Sequence, residues 1–195
     1  MTKLQTLKKH LRAGKVYRRE DLVQWSSSID RHLQQLLAEG YLTKLSTGIY
    51  HRPKQTAFGK APAVDNALVE AFLKDDRYLV TSPNVYNSLG VGATQLYNRT
   101  VVYNHKRHGT FTLGGREFEF RKKPALPKTL TREFLLVDLV NNLDQLGEDS
   151  ERVLARVKER ALQGNRSALA RAVKQFGMVR TRKFFNGLGA DTHAG

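Results

Sequence analysis

The sequence predicts an α+β protein: an N-terminal winged helix-turn-helix, then an α+β domain with a small antiparallel sheet and a C-terminal helical bundle. Three observations predict it. Residues 26–51 read as one amphipathic helix followed at once by a short β-hairpin. Strand-like patterning is otherwise confined to residues 78–81 and 99–121, and after the Pro-rich run at 122–127 only helical periodicity remains.

Within the first stretch, Ile29, Leu33, Leu36 and Leu37 fall on one helical stripe. The opposite side shows Ser27, Ser28, Arg31, Gln34 and Gln35, and this outer face contains no acid. Ser27 is the predicted N-cap, with Asp30 three residues on as an Asp variant of the capping box. Gly40 supplies the positive φ that ends the helix. Residues 41–45 and 49–51 are β-prone, and Ser46-Thr47-Gly48 places glycine where a bulged hairpin needs it.

Upstream, Leu4, Leu7 and Leu11 predict a first helix over 2–13, stopped by Gly14, with Lys3, Lys8, Lys9 and Arg12 on its polar side. Residues 19–25 predict a second short helix with Leu22 and Val23 inward. Three helices and a hairpin within about fifty residues make a winged helix-turn-helix over 1–53. Residues 54–63 lose periodicity and contain Gly59 and Pro62, which predicts a linker; residues 64–195 form the second domain.

That domain opens with a helix over 65–74, a strand at 78–81, and a short helix N-capped by Ser82 with Pro83 in its first position. Strands are expected at 99–104, 110–113 and 116–121, with Phe118 and Phe120 inward and Glu117, Glu119 and Arg121 on a wet face. Helices follow from Thr131, over 150–163, from a Ser167 cap, and over 179–188. The tail from Gly189 is expected to fray.

Charge is the informative total: 33 Lys and Arg against 18 Asp and Glu, a net +15. The first sixty residues alone carry twelve bases and four acids, so just over half the excess lies in the first third of the chain, which contains the winged-helix segment. Such asymmetry favours a polyanionic partner. With no cysteine, disulfides and thiolate metal sites are excluded. No apolar run approaches a membrane span and no signal-peptide core opens the chain, so the expected location is cytoplasmic, without a membrane partner.

In a winged helix-turn-helix the third helix enters the major groove with its outward N-terminal residues near base edges. Arg31 is then the first choice for direct readout, as a fork onto guanine; Gln34 and Gln35 suit adenine, and Ser27 and Ser28 suit bases or phosphate. Lys44, Thr47 and Arg52 fall on or near the wing, and Lys8, Lys9, Arg18 and Arg19 suit backbone contacts. Trp25, Tyr41 and Tyr50 read as packing aromatics rather than base-stacking platforms.

No phosphate loop, dinucleotide fingerprint or nucleophile elbow is present, and the six histidines are scattered, with His105 and His108 flanking a turn. No metal, cofactor or catalytic residue is expected. The best enzymatic alternative is a metal-dependent nuclease built on Glu117 and Glu119, which lacks an acidic partner between Asp76 and Glu117.

Residues 29–50, from Ile29-Asp-Arg-His-Leu to Ser-Thr-Gly-Ile-Tyr50, resemble the N-terminal region of AbiEi-type antitoxins of type IV toxin-antitoxin systems. In these a helix ending in a Leu-x-x-Gly-like turn precedes a Gly-Ile/Val-Tyr wing. The resemblance continues through Thr81-Ser-Pro-Asn-Val-Tyr-Asn-Ser-Leu-Gly90, the strands around Tyr103 and Gly114-Gly115, and the helix after Thr131. It implies an antitoxin that represses its own operon through inverted repeats in double-stranded DNA, with monomers pairing there. It further implies that the C-terminal domain counteracts a nucleotidyltransferase toxin, as part of phage defence by abortive infection, without a stable complex. The DNA-reading role carries over to Ser28, Arg31, Gln35 and Lys44. Arg166, Arg171, Lys174, Arg180, Arg182 and Lys183 make a second basic surface, and a stand-alone transcription regulator is the other reading.

Overall fold

A computed structural model describes residues 2–190. Helix α1 (Lys3–His10) starts at a complete capping box, Thr2 and Gln5 each satisfying the other's backbone N–H. Strand β1 (Val16–Arg18) leads into α2 (Arg19–Leu22), whose last turn tightens to 3₁₀ geometry over Val23–Trp25. Helix α3 (Ile29–Ala38) and strands β2 (Thr43–Ser46) and β3 (Ile49–His51) follow. The strands form an antiparallel sheet in the order β1-β3-β2. Leu7, Leu11, Leu22, Leu33 and Leu36 are almost wholly buried between the helices and this sheet, each worth about 1.5–3 kcal/mol. Val23, read as inward, is exposed, because the 3₁₀ turn rotates it off the α-helical stripe.

The predicted linker is not irregular chain. Its residues make a second hairpin, β4 (Gln55–Thr56) and β5 (Gly59–Lys60). Helix α4 (Asp65–Leu73) and strand β6 (Tyr78–Thr81) come next, then a 3₁₀ helix (Pro83–Leu89) capped by Ser82, whose hydroxyl accepts the Asn84 N–H. Strands β7 (Thr100–Asn104), β8 (Gly109–Leu113) and β9 (Arg116–Lys122) complete a four-stranded sheet in the order β6-β7-β9-β8. Its neighbours are antiparallel except β7 and β9, which run parallel, so this sheet is mixed rather than purely antiparallel. The cause is that β8 folds back on β9 and leaves β7 for β9's other edge.

Helices α5 (Arg132–Asn142), α6 (Ser150–Leu162), α7 (Arg166–Phe176) and α8 (Val179–Ala190) form the C-terminal bundle. Every residue of α5 from Phe134 to Asn142 is buried, the mark of a central helix. Helix α7 is capped by Asn165, whose side chain accepts the Ala168 N–H; the predicted cap Ser167 lies inside the helix and accepts from Arg171. Asn165→Ala is therefore expected to lower the unfolding free energy by about 1 kcal/mol in urea titration, and Ser167→Ala to change it little. The tail read as frayed lies outside the described residues from 191 on.

One face of the mixed sheet packs on the bundle and the other on α4, with Phe118 and Phe120 buried on the α4 side. Val16 and Leu45 join that second core, and the Gly114 N–H donates to the Leu45 carbonyl at 2.8 Å. Gly114 takes φ 58° there, and a Cβ on it would stand 3.2 Å from a Leu45 methyl. The β2-β3 hairpin is thereby clamped to the rest of the molecule. No helix among the described residues is long and apolar enough to cross a membrane.

Candidate nucleic-acid interface

Helix α3 is held in place by a buried Ser26–His32 pair that is not among the predicted site residues. Ser26 Oγ lies 2.7 Å from His32 Nδ1 and accepts the Ser28 N–H at 3.2 Å, both side chains being buried. This fixes the angle between α2 and α3 and makes Ser28, not Ser27, the N-cap residue, without a side-chain cap bond. Ser27 stays exposed and accepts from Lys3 Nζ at 2.7 Å. The remaining signal in the sequence was a histidine on the apolar stripe six residues after a serine.

Arg31, Gln34 and Gln35 all project to solvent from α3. Among the described residues Arg31 and Gln34 make no side-chain hydrogen bond or ion pair, whereas Gln35 donates to Glu39 Oε1 at 2.9 Å. The face is bordered by two exposed acids, Asp30 on one edge and Glu39 on the other. Arg19 grips Asp30 with two bonds of 2.6 Å, and Lys8 reaches Glu39 at 2.7 Å. The Arg19 bond draws the Asp30 carboxyl below its usual range, and the bonds from Lys8 and Gln35 do the same for Glu39. Both acids thus remain ionised and matched by a neighbouring cation, and the face between them keeps the unmatched charge of Arg31. A cleft of about 290 Å³ at the start of the helix is lined by Arg19, Val23, Ser27, Ser28 and Arg31 among others.

The other cations divide into two groups. Arg18 is bound to Asp21 at 2.9 Å and to Glu20 at 3.1 Å, and Arg52 bonds the Leu11 carbonyl and stacks over Tyr41, at the end of α1 rather than on the hairpin. Lys9, Lys44 and Thr47 are exposed, Lys44 on β2 and Thr47 in the loop that follows. The aromatics pack as expected: Tyr50 is buried, Tyr41 is half-buried beneath two cations, and Trp25 stacks on His10 at 4.5 Å.

The second basic surface is less open. Arg180 pairs with Asp144, Arg182 donates to the Lys174 carbonyl at 3.0 Å, and Arg171 donates to Ser167 at 2.8 Å. Arg166, Lys174 and Lys183 are exposed. Arg166, Lys174 and Arg182 rim an apolar cavity of about 430 Å³ between α6, α7 and α8.

Glu117 and Glu119, the acids of the nuclease alternative, do not converge. Glu117 is exposed, while Glu119 lies 2.7 Å from Arg121 and 3.6 Å from Arg99. No three His, Asp or Glu side chains among the described residues are grouped to hold a metal ion. Arg121 is itself buried, not on a wet face as its alternation with Phe120 suggested, since the bundle covers that side of the sheet. It donates to Asn142 at 2.6 Å and Gln145 at 2.7 Å.

Next to it lies a buried carboxylate. Asp138 accepts from Tyr86 Oη at 2.7 Å, Tyr103 Oη at 2.9 Å and Asn142 Nδ2 at 3.1 Å. Burial raises the Asp138 carboxyl above its usual range, partly offset by these donors, and burial likewise pushes both phenols up. The network joins α5 to the 3₁₀ helix and to β7, and through Arg121 to β9.

A family model matches residues 3–167. The chain belongs to the DUF6088 family, a family of unknown function. No curated protein and no solved structure matches the chain. The DUF6088 match takes in α3, both hairpins and the Asp138 network. It stops in the first turn of α7, so of the second basic surface only Arg166 falls within it.

Proposed function

We propose that this DUF6088 protein is a sequence-specific duplex-DNA-binding regulator whose N-terminal segment is a winged helix-turn-helix. The element order from α1 to β3 and the sheet order β1-β3-β2 are those of a winged helix, with α3 as recognition helix and the β2-β3 hairpin as wing. The observation that carries the reading is the α3 face: Arg31 exposed and uncommitted, between two acids each answered by a cation. Arg31 reads guanine, Gln34 and Gln35 read adenine, and Ser27, Ser28, Lys9 and Thr47 hold phosphates. Lys8 and Arg19 act at one remove, by cancelling acids that would repel the duplex.

The wing's rigidity supports the same reading. Leu45 is packed inward and its carbonyl is bound by Gly114, at a break in the β2-β3 register, while Lys44 before it is exposed. Lys44→Ala is expected to weaken binding to all duplexes alike and to flatten the salt dependence by about one phosphate contact, read from binding isotherms at several salt concentrations.

The likeness of residues 29–50 to AbiEi-type antitoxins extends the proposal to an autorepressor that opposes a nucleotidyltransferase toxin encoded beside it. Binding to the DNA upstream of the chain's own gene tests the regulator. Rescue of cells expressing the neighbouring gene tests the antitoxin. An unrelated neighbour and an upstream operator would leave a stand-alone regulator.

A further inference from the structure

We propose that the β4-β5 hairpin is a second DNA-contacting element, whose tip residue Phe58 wedges into a base step of the minor groove beside the groove read by α3. The inference rests on the DNA-binding reading above. Phe58 is fully exposed, the most exposed large apolar side chain among the described residues. A phenylalanine left wholly in water on a loose loop would mean little, but this tip is built. Thr56 Oγ1 accepts the Phe58 N–H at 3.2 Å and donates to the Gly59 carbonyl at 2.8 Å. The Ala61 N–H closes the base of the hairpin on the Lys54 carbonyl at 2.8 Å.

The hairpin is also moored to the recognition helix. Lys60 Nζ donates to the Gly40 carbonyl at 2.7 Å, at the residue that ends α3. Two residues of strand, at about 3.3 Å each, then carry Phe58 outward from that anchor. On the reading of α3 as the groove-entering helix, this two-stranded ribbon, bonded to the end of that helix and carrying an apolar tip, is assigned to the neighbouring minor groove. There, apolar wedges part adjacent base pairs and kink the duplex.

Charge selects the partner. From Gly40 to Val64 the chain has no Asp or Glu, and it carries Lys44, Arg52, Lys54 and Lys60. A second copy of this chain, itself strongly basic, meets repulsion at this surface; a polyanion meets none. Phe58 supplies the wedge, and Lys54 at the ribbon's base supplies phosphate contact.

The test compares the full-length wild type with Phe58→Ala, Phe58→Trp and Arg31→Ala on one duplex, the segment upstream of its own gene that the wild type protects. The duplex carries end labels for energy transfer and 2-aminopurine at flanking steps. Wild type is expected to bend the duplex and raise 2-aminopurine emission. Phe58→Ala is expected to bind about ten-fold more weakly, with bend and emission gain lost, and Phe58→Trp to retain both. If Phe58→Ala bends the duplex like wild type while Arg31→Ala loses affinity, the wedge is overturned and the α3 reading stands. If Phe58→Ala instead alters the sedimentation of the free protein, the residue is a self-association contact and the wedge is again overturned. If neither Phe58→Ala nor Arg31→Ala changes binding, the α3 reading falls and takes the wedge with it.

Discussion

Arg31→Ala is expected to cost about 1–3 kcal/mol of discrimination between the chain's own upstream DNA and a scrambled duplex of equal length. The guanidinium is the one cation on the outward face of α3 that spends none of its donors inside the protein, so its removal disturbs no fold contact. Unfolding in urea should accordingly be unchanged. The contrast with Arg19→Ala is informative, because that change frees the Asp30 carboxylate at the edge of the face. Arg19→Ala should weaken all duplexes through repulsion, whereas Arg31→Ala should weaken the cognate one most. Competition binding with both duplexes at a fixed salt concentration separates the two patterns.

The second large effect concerns the fold that holds this face. Asp138→Leu is expected to lower the unfolding free energy by about 3 kcal/mol or more, because it leaves the Tyr86 and Tyr103 hydroxyls short of an acceptor in the core. Asp138→Asn is milder and exposes the pH dependence. The folded chain holds the Asp138 proton more tightly than the unfolded one. This group's contribution is therefore fully present below the unfolded carboxyl range, near 3.8, and is lost as pH rises through the folded value. The stability of wild type relative to Asp138→Asn should fall as pH rises across that interval. Urea titrations of both proteins over a pH series give the difference, in which the other carboxylates cancel.

The residues that reveal least of this in the sequence are those whose role is set by long-range packing. Helices α1 and α3 and the β2-β3 hairpin were legible because stripe, cap and glycine signals are local and agree with one another. Hairpin β4-β5 was not, since Gln55–Thr56 and Gly59–Lys60 are too short to show alternation and its flanking Pro53 and Pro62 mimic a linker. The parallel pairing of β7 with β9 is invisible locally, because both strands alternate as antiparallel ones do. Arg121 alternates with Phe120 and so reads as solvent-facing; only the bundle folding over the sheet buries it.

For the interface the limits are similar. The exposure of Arg31, Gln34 and Gln35 followed from helical phase alone. That Asp30 and Glu39 border the face is hidden in the sequence, because they lie about 90° to either side of its centre and their neutralising partners, Arg19 and Lys8, come from other helices. A trace of the Asp138 network was present, in that Asp138 and Asn142 stand four residues apart in an otherwise apolar helix. A carboxylate there must find donors, and the sequence does not say that two tyrosines supply them.

The most direct test is methylation interference on the DNA upstream of the chain's own gene, using the full-length protein. Methyl groups at guanine N7 would block the fork proposed for Arg31 in the major groove. The expected result is interference at one or two guanines per half-site that disappears with Arg31→Ala while backbone protection persists. Interference unchanged by Arg31→Ala, or no protected site at all in that DNA, would contradict the assignment of α3 as the helix that reads it.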